Sequence, residues 1–408
     1  MSVRAIVAIA MIITILAPVH ARLVDLRPDE QGDRVALVTG DEVSYLPAKR
    51  VDLGHPATGG GICRTIRRAP NGDLFIMGTG LKAVLRSRDG GLTWNRAPVE
   101  LDSVGFISAF AILRDGTFVV AGMRGAADMR VARSTDQGKT WTVAEIEVDR
   151  TPHKQMAGWN ADMLELNDGT ILLTVQLRSG RDLIHDQNGA LLPMELRGVF
   201  PYLLRSSDGG RTWGDKSMIA MYGGETHLLA MRSGKLLACI RKQRNHRLPG
   251  DPPDPMTIKL QMGFEPQFPS EEAKNPHDEG TNRIKNMFVT ESSDQGRTWG
   301  NERRVSGFLQ CSGDLALTSN GVLLLGFHHR YADDIAGDGV RMMFSHDRGR
   351  TWEKGTYILG QGTADYDTAV CYPSSVATED GGLISVVANH VGGKVARIEA
   401  VHWRPRGR

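Results

Sequence analysis

Short apolar runs alternate with polar turn dipeptides along most of the chain, and the turns keep a fixed relation to the runs on either side. Six times an apolar segment enters such a turn and a second one leaves it. The six are RRAPNGDLFIM (turn at Asn71-Gly72), ILRDGTFVV (Asp115-Gly116), LELNDGTILLTV (Asp168-Gly169), AMRSGKLLACI (Ser233-Gly234), ALTSNGVLLLGF (Asn320-Gly321) and VATEDGGLISVV (Asp380-Gly381). Each reads as a β-hairpin, because Asn-Gly and Asp-Gly supply the positive φ angles that tight reversals need. No long stretch carries helical periodicity.

A second pattern follows the hairpins. An eight-residue turn occurs five times with few changes: SRDGGLTW at Ser87, STDQGKTW at Ser134, SSDGGRTW at Ser206, SSDQGRTW at Ser292 and SHDRGRTW at Ser345. Its Ser and Asp are suited to bonding nearby backbone, its Gly to tight reversal, and its Trp to packing between sheets. Hairpin, third strand, turn and fourth strand together make a four-stranded blade. Repeated radially, such blades build a propeller. The prediction is an all-β, six-bladed β-propeller of four-stranded blades. The sixth hairpin lacks the turn but is followed by ARIEAVHW, a third strand, and the segment from Asp33 to Leu46 has strand character suited to completing that last blade. Residues 22–408 then form one domain. The intervals that begin at Ser134 and Ser206 are long and hold two insertions, Arg178 to Phe200 and Lys242 to Gly280, both starting where a second strand ends. Long loops on one face of a rigid scaffold commonly shape a binding site.

Composition narrows the picture. Of 408 residues, 41% are hydrophobic and 24% charged, which fits a globular chain, and a net charge of +2 without a basic run argues against nucleic acid as partner. Arg4, the apolar run AIVAIAMIITIL and small residues before a cut after Ala21 read as a signal peptide over residues 1–21, so a secreted or periplasmic location is expected. An uncleaved anchor is the alternative; no later stretch is apolar enough to span a bilayer. Cys63, Cys239, Cys311 and Cys371 match no zinc spacing. They read as small buried strand residues, although export would permit disulfides.

Candidate chemistry comes from register. Nine residues before the turn glycines stand Cys63, Ile107, Asn160, Glu225, Ser312 and Tyr372, which should ring one mouth of the channel. Arg124, Arg178, Arg241 and Arg330 follow second strands at the same end. The adjacent His328 and His329 point to opposite faces of a strand, which argues against a metal site. No cofactor is expected.

The five S-x-D-x-G-x-T-W turns resemble the Asp-boxes of the sialidase (neuraminidase) superfamily, over nearly all of the chain after residue 21. YGGETHLLAMRSGKLLACIR resembles the segment in which that family places a glutamate before a hairpin and an arginine after it, here Glu225 and Arg241. VCYPSSVATEDGGLISVV resembles the segment with the tyrosine nucleophile, here Tyr372. The resemblance implies an exo-acting glycoside hydrolase on a terminal, sialic-acid-like sugar. A neutral phenol attacks beside an anionic substrate, a glutamate takes its proton, and arginines clamp the substrate carboxylate. It also implies Arg64, Arg241 and Arg330 as the clamp, with Arg341 an alternative to Arg330. Two family features are absent. GICRTIRRAPNG lacks the Ile-Pro that follows the family's first arginine, and MGTGLKAVLRS holds no acid where its aspartate is expected. Asp162 is taken as the catalytic aspartate, with Asp128 and Asp367 as alternatives. Two further readings stay open: a non-catalytic propeller that binds glycan or protein, and a hydrolase of another sugar in which carboxylates do the acid/base work and Tyr372 positions substrate.

Overall fold

The computed structural model describes residues 24–54, 62–78, 83–125, 128–156, 161–180, 188–190, 192–193, 196, 198–244, 284–307, 310–329, 335–361, 371–391 and 394–407. The expected signal peptide (1–21), Asn160, Arg330, Asp367, about half of the first insertion and nearly all of the second lie outside the described residues.

The chain is built from strands. In order they are β1 (Arg34–Thr39), β2 (Glu42–Asp52), β3 (Ile62–Arg68), β4 (Leu74–Gly78), β5 (Ala83–Ser87), β6 (Asn95–Pro98), β7 (Phe106–Ile112), β8 (Phe118–Arg124), β9 (Asp128–Ser134) and β10 (Thr142–Ile146). There follow β11 (Gln155–Met156), β12 (Met163–Glu165), β13 (Ile171–Arg178), β14 (Phe200–Ser206), β15 (Gly214–Met218), β16 (Gly223–Ala230), β17 (Leu236–Arg244), β18 (Ile284–Ser292) and β19 (Gly300–Arg304). The last are β20 (Gln310–Leu317), β21 (Leu323–His329), β22 (Gly339–Ser345), β23 (Thr356–Gln361), β24 (Cys371–Tyr372), β25 (Ser374–Ala377), β26 (Leu383–Val391) and β27 (Lys394–Trp403). No helix among the described residues is long and apolar enough to cross a membrane.

These strands form a propeller of four-stranded blades. β3 to β6, β7 to β10, β12 to β15 and β16 to β19 each pair antiparallel in sequence order. A nine-stranded sheet, in the order β20-β21-β22-β23-β1-β2-β27-β26-β25, joins two further runs through the β1–β2 hairpin. Within it β1 pairs with β23, and β2 pairs with β27 through Ala48 to Asp52. The segment that meets the last blade therefore lies later in the chain than Asp33 to Leu46.

The hairpin turns show why the dipeptides recur. Gly72, Gly116, Gly169, Gly234, Gly321 and Gly381 all have φ between 79° and 90°. Positive φ falls on the glycine alone. The preceding Asn71, Asp115 and Asp168 instead accept the amide two residues on, as a type I turn followed by a left-handed glycine requires.

Each eight-residue turn links a third strand to a fourth and closes on itself. In the first, the Ser87 hydroxyl donates to Asp89 and accepts the Gly91 amide, while Asp89 accepts the amides of Leu92 and Thr93 and the Thr93 hydroxyl. The Thr93 hydroxyl and amide, with Ser87 and Leu92, hold the Asp89 carboxyl far below the usual range. In four of the turns the Trp indole also donates to the glycine carbonyl, at 2.9–3.1 Å.

Those tryptophans reach into the core, which lies between blades. One apolar cluster combines Phe75, Met77 and Val84 with Phe110, Phe118 and Val120, and Trp141 packs against it. Another joins Ile66, Leu74 and Ile76 to Ile384, Val386 and Ile398, so the last sheet packs on the first, with Trp94 against that cluster. At roughly 1.5–3 kcal/mol per buried large aliphatic side chain, these seams carry most of the driving force for blade association. At the axis the first strands touch in turn: β3 with β7, β7 with β12, β12 with β16, β16 with β20, β20 with β25, and β25 with β3.

Candidate active site

The channel ends of the first strands are irregular, and the irregularity falls where the register argument places chemistry. Pairing slips between Ile107 and Ala109 on β7, between Gly223 and Thr226 on β16, and between Cys311 and Asp314 on β20. Each slip is a bulge, which re-aims the side chains beside it. Glycines make room for two of them. A Cβ on Gly224 would sit 3.2 Å from Gln176 Oε1 and 3.3 Å from Arg241 Nη2, and one on Gly313 would meet Met287 and come within 2.8 Å of Cys239 Sγ. Ser312, inside the β20 bulge, has a φ of 62°, a strained value for a residue with a side chain.

The last blade reaches this mouth differently. β24 leaves its own sheet and pairs parallel with β3, setting Tyr372 beside Cys63, before the chain turns at Pro373 into β25. Tyr372 Oη then donates to Glu225 Oε1 at 2.6 Å, across the channel. Arg241, on β17, donates to the same carboxylate oxygen. Glu225 Oε2 is buried without a partner among the described residues.

One layer deeper lies a second ring that the sequence argument did not single out. Seven residues before the turn glycines stand Thr65, Asp162, His227, Asp314 and Ser374, and all five line the same pocket as Glu225, Ser312 and Tyr372. Three of their side chains each tie one blade to the next. Asp162 accepts the Leu228 amide at 2.8 Å, His227 Nδ1 accepts the Leu315 amide at 3.1 Å, and the Ser374 hydroxyl accepts the Ile66 amide at 3.2 Å.

His227 is the hinge of this layer. Its Nε2 lies 3.0 Å from Asp314 Oδ1 and 3.4 Å from Asp162 Oδ2. Burial disfavours a charged ring, and the carboxylates of Asp162 and Asp314 outweigh it and raise the pKa. A proton on Nδ1, however, would face the Leu315 amide proton. The amide therefore sets the tautomer, with the ring's proton on Nε2 toward Asp314.

The residues expected from sequence are distributed as follows. Glu225, Arg241 and Tyr372 come together. Asp162 lines the pocket, but its Oδ1 accepts Arg67 Nη2 at 2.8 Å and its Oδ2 accepts Leu228, so both oxygens are engaged. A carboxylate held in that way suits a strut better than a proton shuttle. Arg341 lies buried on β22, donating to the Gly337 carbonyl, and Asp128 at the start of β9 pairs with Arg130; neither lines the pocket. The side chains of Cys63, Arg64 and Cys371 lie outside the described residues. Cys239 and Cys311 are free, buried thiols, and burial pushes the Cys239 thiol far up. Sequence reading missed Arg67, His227 and Asp314. The signal was available: both His227 and Asp314 are polar residues two positions after a ring residue, inside otherwise apolar strands.

No family model matches the chain, and no curated protein is a recognisable relative of it in sequence. Its fold, in contrast, has many solved counterparts. A protein of unknown function from Dyadobacter fermentans superposes with a TM-score of 0.60 at 16% identity, covering 91% of this chain and 99% of that one. An α-L-arabinanase from Penicillium chrysogenum, solved with arabinobiose, gives 0.56 at 15% identity, covering 88% and 98%. A sialidase described as Hadza microbial sialidase Hz136 gives 0.55 at 16% identity, covering 87% and 68%. The chain thus shares the propeller fold of sialidases and of arabinan-degrading glycoside hydrolases.

Proposed function

We propose that this protein is an exo-acting glycoside hydrolase on a single six-bladed propeller, secreted or periplasmic, with Tyr372 as nucleophile and Glu225 as its proton acceptor. Six blades follow if the nine-stranded sheet is counted as two blades bridged by β1–β2, a count supported by the circuit of contacts among first strands. The observation that carries the catalytic reading is the 2.6 Å bond from Tyr372 Oη to Glu225 Oε1, made by residues 147 apart in sequence. In the first step the phenol oxygen bonds to the anomeric carbon, Glu225 receives the phenol proton, and the glycosidic bond breaks toward the leaving group. In the second step water bonds to the anomeric carbon as the bond to tyrosine breaks, the phenolate takes back the proton held by Glu225, and the proton shed by the water passes to solvent, balancing the anion of the departed leaving group. Arg241 fixes the orientation of the Glu225 carboxylate throughout.

One observation favours a second reading, glycan binding without hydrolysis. The engaged oxygens of Asp162 leave leaving-group protonation without an assigned residue. An aryl glycoside with a good leaving group bypasses that need and separates the two readings. On a panel of such glycosides, wild-type turnover is expected on at least one sugar, with Tyr372→Phe slowed roughly 10³-fold or more at unchanged melting temperature. Absence of turnover across the panel, or an unimpaired Phe variant, counts against the tyrosine mechanism.

A further inference from the structure

The deeper ring has one member that breaks its pattern. Asp162, His227 and Ser374 each commit an acceptor to the first strand of the next blade. Asp314 does not: its Oδ1 faces His227, while its Oδ2 is buried with no partner among the described residues. Asp314 is 1% exposed, as is Ser312, whose hydroxyl also lacks a partner among the described residues. Glu225 Oε2 is a third such atom. All three residues line one pocket. Buried carboxylate oxygens without donors are costly, and carboxylates, when ionised, only accept. The group that completes this pocket must therefore bring O–H or N–H donors to it.

Charge points the same way. Arg241 is engaged on Glu225 and Arg67 on Asp162, so Asp314 is the lining carboxylate that no guanidinium meets among the described residues. A substrate carboxylate placed here would face Asp314 in a medium that screens poorly. Sugar hydroxyls would instead donate to it. The strained φ of Ser312 fits a residue held for contact with a ligand, since the fold does not need its hydroxyl.

We propose that Asp314, Ser312 and the second oxygen of Glu225 form a hydroxyl-accepting subsite that selects an uncharged, polyhydroxylated terminal sugar over a carboxylate-bearing one. This deepens the glycosidase reading of the same pocket and departs from the sialic-acid-like sugar implied by the sequence resemblance. The test measures binding separately from turnover, by calorimetric titration of the full chain. The probes are L-arabinose, D-xylose, D-galactose and L-fucose against D-glucuronic acid and N-acetylneuraminic acid. At least one neutral sugar should bind more tightly than either acid. Asp314→Asn, which keeps an oxygen for His227, should weaken that sugar roughly 10- to 100-fold while the melting temperature holds. Ser312→Ala should weaken the same sugar and serves as the check if the Asn variant misfolds. Tighter binding of an acid, no neutral sugar bound, or neutral binding untouched by both variants overturns the proposal. Neutral binding that depends on Asp314 but brings no hydrolysis of the matching aryl glycoside upholds the subsite and removes the hydrolase reading. Tyr372-dependent hydrolysis of a sialic acid glycoside does the reverse.

Discussion

The outer turn at Ser206 and the channel end of β20 come from two copies of one repeating unit, yet they treat their polar atoms in opposite ways. In the turn, Ser206 donates to Asp208 and accepts the Gly210 amide, Asp208 takes the amides of Arg211 and Thr212, and the Thr212 hydroxyl donates to its second oxygen. Left-handed backbone there falls on Gly209 and Gly210, where it costs little. At the channel end a serine adopts the left-handed φ, the strand bulges, and Ser312 Oγ and Asp314 Oδ2 have no partners among the described residues. The turn is complete in itself. The channel end presents polar atoms that no described protein group meets. A region whose polar atoms are all satisfied internally should respond to mutation with stability, and one with orphaned atoms should respond with binding.

The largest effect is expected where the ring is joined. Arg50 on β2 pairs with Glu399 on β27 at 2.6 Å, with side-chain exposures of 5% and 1%, and also donates to the Leu359 carbonyl on β23. Arg50→Met removes the cation that pairs with this buried carboxylate and should cost about 3–5 kcal/mol of stability. Turnover per folded molecule should hold. A urea midpoint that does not move would break the assignment of this pair to the structural side of the comparison.

Next comes a buried group whose partners are all internal. His153 Nδ1 lies 2.7 Å from Ser179 Oγ and its Nε2 2.9 Å from Tyr202 Oη. Burial, aided by the charge of Lys216, lowers its pKa from the ordinary 6.5 to about 4. Below pH 6.5 the unfolded chain takes up a proton that the folded one refuses until about pH 4. Stability is therefore full above 6.5 and falls through that window, by on the order of 3 kcal/mol at its lower end. His153→Gln should flatten this slope in urea unfolding between pH 6.5 and 4. An unchanged slope would assign the acid sensitivity to other groups.

The smallest effect sharpens the comparison most. Ser312→Gly relieves a left-handed serine and removes an orphaned hydroxyl, so it should stabilise the fold by about 0.5–1 kcal/mol. It should also weaken sugar binding. A variant that loses stability would show that Ser312 is held by packing and has no part in a ligand site.

The division between the two regions also explains what the sequence made legible. Turn chemistry is local: Asn-Gly, Asp-Gly and S-x-D-x-G-x-T-W specify bonds within a few residues, so hairpins, blades and the register of Glu225 and Tyr372 could be counted directly. The deeper ring was hidden because its partners lie in other blades. Nothing near His227 announces that Leu315 donates to it, and nothing near Asp162 announces Arg67. Asp162 looked like a free carboxylate because its ties run to the first and fourth blades. The bulges at Gly224 and Gly313 were similarly invisible, since they arise from close approach to Arg241 and Met287.

Bonding of the Tyr372 phenol oxygen to the sugar can be tested by trapping that bond. The glycosyl fluoride of whichever sugar is hydrolysed, carrying a second fluorine on the carbon next to the anomeric one, should slow the second step and let the covalent species accumulate. Peptide mass spectrometry should then find one fluoroglycosyl group on the peptide carrying Tyr372, and none in Tyr372→Phe. The same mass on Glu225, Asp314 or another carboxylate would contradict the account.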